Sequence, residues 1–179
     1  VFHIGGAVNN IRMTTYEEIK SNPYIEWSIP ISLGDSYKGF RVIGTDENFF
    51  KHYKFRGDRG VTLKEGVIPT ETFDVVIGAD VALKTRLKIG DPIVLSHGIS
   101  TESFLEHKRT PFKVVGIIDS TKTPIDSGVY INLYGMEAMH IGWESGVPDD
   151  QEINPERFKK ENSHFGKNMI RKQCYHFYN

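Results

Sequence analysis

The sequence predicts a mixed α+β domain, on the strength of three observations. The first is residues 110–140, TPFKVVGIIDSTKTPIDSGVYINLYGMEAMH, which read as strand, turn-rich loop, strand and short helix in one compact unit. The second is an early block, residues 24–44, in which apolar residues alternate at the strand period. The third is Gly90-Asp91 followed by Pro92, Ile93, Val94 and Leu95, a tight turn into a strand of the kind small β-barrels use.

Taken in order, Glu17 and Glu18 after Thr14 and Thr15 predict a helix start with acids in its first turn. That helix runs to about Lys20 and stops before Asn22-Pro23. Ile25, Trp27, Ile29 and Ile31 share one face of a predicted strand over residues 24–33, which Pro30 marks as an edge or bulge. Gly34-Asp35-Ser36 is predicted as a hairpin turn into a second strand, residues 39–44. Thr45-Asp46-Glu47 is predicted to cap a short helix carrying Phe49, Phe50 and Tyr53. Residues 56–66 are polar and turn-rich, a subdomain border. A strand is predicted at residues 72–77 and a helix at 81–87 with Asp80 as its N-cap. Residues 96–109 are predicted as a long polar loop or loose hairpin holding His97 and His107. Phe112, Val114, Gly116 and Ile118 alternate with Lys113, Val115, Ile117 and Asp119, a strand entering a core; residues 129–133 are a second strand, and residues 135–143 a helix with Met136, Met139, His140 and Trp143 at helical spacing.

The 179 residues are enough for one domain or two small subdomains. A net charge of −1 gives no global attraction to nucleic acid or an anionic membrane surface. No apolar run approaches the roughly 18–20 residues a bilayer span requires. The chain opens at Val1 in mid-pattern, as an excised fragment would. Cys174 is the single cysteine, which excludes an intramolecular disulfide and a cysteine-based zinc site. Residues 154–179 carry six Lys or Arg against two acids and show poor periodicity, an atypical basic tail.

Candidate chemistry is thin. Gly34-Asp35-Ser36 resembles the nucleophile block of GDSL-type hydrolases, which would make Ser36 a nucleophile. That chemistry needs a base oriented by an acid, and the usual Asp-x-x-His is missing; the nearest arrangement is Glu137-x-x-His140. His97 and His107 lie ten residues apart with Glu102 and Glu106 between them, which fits no compact zinc motif. Gly166-Lys167-Asn168 lacks the rest of a phosphate loop, so no nucleotide binding is expected. The residues by themselves therefore point to no catalyst, metal or cofactor.

Several blocks in order do carry a resemblance: His3-Ile4-Gly5 with Asn10-Ile11; Phe40-Arg41-Val42-Ile43-Gly44-Thr45-Asp46-Glu47-Asn48-Phe49-Phe50; Val76-Ile77-Gly78-Ala79-Asp80-Val81-Ala82; Leu87-Lys88-Ile89-Gly90-Asp91; His97-Gly98; Pro111-Phe112-Lys113-Val114-Val115-Gly116-Ile117; Thr123-Pro124-Ile125-Asp126; and Gly135-Met136-Glu137-Ala138-Met139-His140. Over roughly residues 2–145 the chain resembles the extracytoplasmic core domain of bacterial ABC-transporter permeases of the MacB/FtsX-like superfamily. The tail after Asn154 departs from the family's continuation.

The resemblance implies a two-part MacB-like periplasmic core domain: an α/β membrane-proximal subdomain, residues 1–60 plus 129–153, with an inserted β-rich subdomain, residues 61–128. It implies one transmembrane helix before the domain and three after it, in a bacterial inner-membrane protein that dimerises only as the full transporter. The implied role is binding and coupling, not enzymatic. A cognate ATP-binding subunit would act indirectly through the membrane helices, and the domain would engage a periplasmic partner protein or a lipid or lipoprotein cargo. A hinge is expected near residues 57–66 and 121–128. The alternatives are a stand-alone secreted hydrolase using Ser36 and a binding module without transport. Strands 24–33, 38–44 and 129–133 are expected in one sheet, and strands 91–96 and 112–118 in the other part. Pro124 and Asp126 are expected to form a structural turn worth about 1 kcal/mol. His97, Phe104, Leu105 and His107, on the loop, are the expected partner-binding residues. Phe104 and Leu105 are adjacent large apolar residues among charges, and one of them is expected to be exposed.

Overall fold

The computed structural model describes residues 13–97, 112–140 and 174–175. In chain order the elements are α1 (Met13–Lys20), β1 (Ser32–Tyr37), β2 (Phe40–Thr45), α2 (Glu47–His52), β3 (Lys54–Phe55), β4 (Arg59–Gly60), β5 (Leu63–Gly66), β6 (Asp74–Ile77), α3 (Ala79–Thr85), β7 (Pro92–Ile93), β8 (Ser96–His97), β9 (Phe112–Ile118), a 3-10 turn (Pro124–Ser127), β10 (Gly128–Asn132), α4 (Leu133–His140) and β11 (Cys174–Tyr175). The class is α+β, as the sequence predicts.

One mixed sheet organises the described residues, with strands in the order β11-β1-β2-β10-β6-β9-β5. At its centre β10 runs parallel to β2 and antiparallel to β6, and β6 runs parallel to β9. Burial on both faces explains why β10 reads as an unbroken apolar run rather than an alternating one. Its side chains still divide by parity. Val129 and Ile131 join Val42, Val75 and Ile77 under Val81 of α3 and Met136 and Met139 of α4. Tyr130 faces the other way, with Val76, Ile118, Ile29 and Phe49 of α2. The two hydrophobic clusters are thus the two faces of one sheet. This corrects the distribution of strands expected from the sequence: β7 and β9 are hydrogen-bonded into the same sheet as β1, β2 and β10. Linear spacing carries no information about β6 bridging β10 and β9, and that bridge joins the blocks.

Residues 24–31 are not a strand, and β1 begins only at Ser32. Pro30 has no N–H to give a ladder. The alternation is satisfied instead by packing: Ile29 is buried beside Phe49, and Trp27 stacks on His52 with ring centroids 5.0 Å apart. The hairpin turn likewise moves. Gly34, Asp35 and Ser36 lie inside β1, with a register shift between Leu33 and Ser36. The reversal is made by Lys38 and Gly39, both at positive φ (48° and 84°), with Tyr37 paired to Phe40. Two left-handed residues in a two-residue loop match the twist of the flanking strands, and the glycine takes its share without strain. Asp80 is not the N-cap of α3; Gly78 holds that position and Asp80 sits in the first turn, accepting from the Ser127 hydroxyl at 3.2 Å. Of the predicted Thr45-Asp46-Glu47 cap, Asp46 is the residue that caps α2, its carboxylate accepting from Asn48 N at 3.0 Å.

Candidate functional site

Two places in the fold gather positioned polar groups. The first is the root of the segment that leaves β8 and re-enters at β9. On the departing side, β8 pairs with β1, Asp35 opposite His97 and Ser36 opposite Ser96, and the Ser96 hydroxyl donates to the Ser36 carbonyl at 3.4 Å. On the returning side, β7 pairs with β9, Pro92 opposite Lys113 and Ile93 opposite Phe112. Ile93 and Phe112 are buried, and so are Asp35 and Ser36. Whatever the intervening residues do, they spring from two strands fastened into the core, the arrangement in which loops carry binding.

The second is the turn that links β9 to β10. Asp126, 2 % exposed, accepts from Thr121 N at 2.8 Å, the Thr121 hydroxyl at 2.6 Å, Lys122 N at 2.9 Å and the Ser120 hydroxyl at 3.0 Å. Burial by itself would raise the carboxyl's pKa, but these donors favour the anion and hold it below the ordinary carboxylate range. Thr123 caps the 3-10 turn at Ile125 N, and Pro124 occupies its first turn, where a missing N–H costs nothing. The turn is locked onto its surroundings. The Tyr130 hydroxyl donates to the Ile125 carbonyl at 3.0 Å, and Gly78 N donates to the Gly128 carbonyl at 2.9 Å. Gly78 lies so close that a Cβ there would stand 2.2 Å from the Asp126 carbonyl oxygen. The Arg56 guanidinium reaches across to the Lys122 carbonyl at 2.8 Å, tying the two segments expected to border the insert. Such a site orders backbone. It presents no nucleophile with a base, and among the described residues no cluster of His, Cys, Asp and Glu could hold a metal.

The family model that matches this chain is that of the MacB-like periplasmic core domain, over residues 1–153. The chain belongs to that family. It is an extracytoplasmic domain of an ABC-transporter permease. The extracellular domain of the noncanonic ABC-type transporter YknZ from Gram-positive bacteria is a solved structure similar to it, with 11 % identity, a TM-score of 0.45, and coverage of 98 % of this chain and 91 % of that one. No curated protein matches. No described helix is long and apolar enough to cross a membrane.

In this MacB-like domain the residues named from the sequence fall as follows. Pro124 and Asp126 lie together in the locked turn. His97 ends β8, in register with Asp35. Phe104, Leu105 and His107 lie outside the described residues. Ser36 is 1 % exposed inside β1 and holds the register position next to, not matching, that of His97. The register partner of Ser36 is Ser96. Sequence reading missed Asp35, which it placed in a turn; the alternation of β1 is broken by its register shift, and no local signal marks it as buried.

A further polar knot pins α1 to the rest. The Tyr16 hydroxyl donates to Asp46 Oδ2 at 2.7 Å, and Asn48 Nδ2 donates to the Ser28 carbonyl at 3.0 Å. Burial raises the Asp46 carboxyl despite the hydrogen bonds from Tyr16 and Asn48, and burial with the adjoining Asp46 pushes the Tyr16 phenol well above its ordinary value. The same carboxylate therefore caps α2 and anchors α1. On α4, Glu137 is raised by burial.

Proposed function

We propose that this domain is a binding and coupling module, not an enzyme. It engages a periplasmic partner protein, or a lipid or lipoprotein cargo, through residues 96–109. It moves with the membrane helices when a separate ATP-binding subunit hydrolyses ATP. The single observation behind this reading is the doubly anchored root, β8 on β1 and β7 on β9, which in sequence adjoins the long polar stretch that carries Phe104-Leu105. A segment rooted in a sheet transmits force to it, because ladder hydrogen bonds and packed cores do not deform continuously. In this reading residues 1–60 with 129–153 form the membrane-proximal part and residues 61–128 carry the loop, with the shared sheet as mechanical link between them.

The test is made in the whole permease. Phe104→Ser and Leu105→Ser should each leave the domain's melting temperature unchanged, and at least one should impair transport. Normal transport by both variants at normal protein levels would assign residues 96–109 to ordinary surface.

A further inference from the structure

A cleft of about 500 Å³ opens between the tip of the β1–β2 hairpin and the last turn of α3, lined by Lys38, Gly39, Phe40, Lys84 and Thr85. That volume is in the range that takes up small molecules. Its charged lining is two lysines and no carboxylate. The Lys38 ammonium sits 5.3 Å from the centroid of the Tyr37 ring, and the Lys84 ammonium 5.6 Å from that of Phe40. Each cation is thus drawn to an aromatic face. Among the described residues, neither has a carboxylate within ion-pair distance; the pair that does form is Lys54 with Asp58.

The ordinary reasons for a lysine to stand here do not account for both. A lysine near a helix C-terminus commonly neutralises its free carbonyls. In α3 the end is closed by the backbone, Arg86 at φ 61° donating its N–H to the Ala82 carbonyl at 2.9 Å. The Thr85 hydroxyl is turned back to the Val81 carbonyl at 2.7 Å. Lys38 belongs to a different element and takes a left-handed conformation that an Asn or Gly would adopt more readily. Two lysines from two elements thus line one cleft together with the aromatic residue Phe40.

We propose that this cleft binds a small organic anion, its negative head between Lys38 and Lys84 and its apolar body along Phe40. None of the residues lining the cleft belongs to residues 96–109, so the two proposals are tested on different side chains and either can fail without the other.

The experiment is a heteronuclear NMR titration of the 179-residue chain with octyl phosphate. Inorganic phosphate and octyl glucoside serve as the head-only and body-only probes. Saturable shifts at the amides of Gly39, Phe40 and Thr85 are expected with octyl phosphate, and weaker binding of each control. Lys38→Gln/Lys84→Gln should weaken octyl phosphate by about tenfold, the equivalent of two solvent-exposed charge contacts, with the melting temperature unchanged. Lys38→Arg/Lys84→Arg should retain most of it. Equal binding of octyl glucoside, equal binding of inorganic phosphate, or a Gln variant that binds like the wild type would each overturn the proposal. Should the double Gln variant fail to fold, the comparison of the three probes on the wild-type chain still decides it.

Discussion

Asp126 shows how much one buried carboxylate can hold. Four donors from Ser120, Thr121 and Lys122 converge on it, and removing it takes from the buried Thr121 N–H its partner and from the Thr121 hydroxyl its carboxylate acceptor. Asp126→Ala is therefore expected to cost about 3 kcal/mol, more than a turn residue would, as measured by urea denaturation at neutral pH. The pH dependence has a definite sign. The folded carboxyl titrates below its unfolded value of about 3.9, so its contribution is present above that pH and is lost as pH falls through the folded pKa. The wild type should lose stability below about pH 4 more steeply than Asp126→Asn. Gly78 is the complementary case, where the constraint is space. A methyl group there meets the backbone of Ile125 and Asp126, which no side-chain rotamer can relieve. Gly78→Ala should destabilise by about 3 kcal/mol, the upper range for overpacking, and a melting temperature within a degree of wild type would refute the close approach.

Among the elements, the helices differ in what fixes them. Two turns of helix such as α1 are not stable alone in water. Here α1 is held by the Tyr16 to Asp46 bond, and α2 is started by the same Asp46. On α4, Met136 and Met139 pack against the sheet while Glu137 is half-buried. Burial raises the Glu137 pKa, so its protonated form suits the fold. Its contribution is favourable below the unfolded value of about 4.3 and is lost as pH rises through the raised folded value. Glu137→Gln should then raise the melting temperature at neutral pH and leave it nearly unchanged at about pH 4. An equal shift at both pH values would show that the charge is not the cause.

For the whole molecule, the consequence of one shared sheet is mechanical. With β10 between β2 and β6, and β6 next to β9, no cut through the described residues separates the expected insert from its host without breaking ladder hydrogen bonds. Movement imposed on residues 1–60 should therefore reach the root of residues 96–109 through the sheet. Hydrogen exchange on the isolated chain would check this: amides of β6, β9 and β10 are expected to exchange together and slowest of all. Separate exchange of β9 from β10 would point to two independently opening units.

Much of this was legible along the chain. The α+β class, the strand at β9, the strand at β10 and the N-terminal cap of α2 follow from local period and turn chemistry, which neighbouring residues determine among themselves. The loop of Pro124 and Asp126 was also visible, because Pro and Asp state their backbone preferences locally. What local sequence could not decide was every fact that depends on a partner distant in the chain. The alternation at residues 24–31 is the same whether Ile29 faces a strand or packs on Phe49. Lys38-Gly39 and Gly34-Asp35-Ser36 compete as turns until the pairing of Tyr37 with Phe40 selects one. Backbone donation to Asp126 was legible, whereas its two hydroxyl donors, Ser120 and Thr121, were not, and the lock of that turn on Gly78 needs two segments some 50 residues apart. Lys38 and Lys84 meet at one cleft only because β1, β2 and α3 are assembled on one sheet. Periodicity and capping act over a few residues, whereas register, face and juxtaposition are settled by packing between elements, and only the tertiary structure contains that packing.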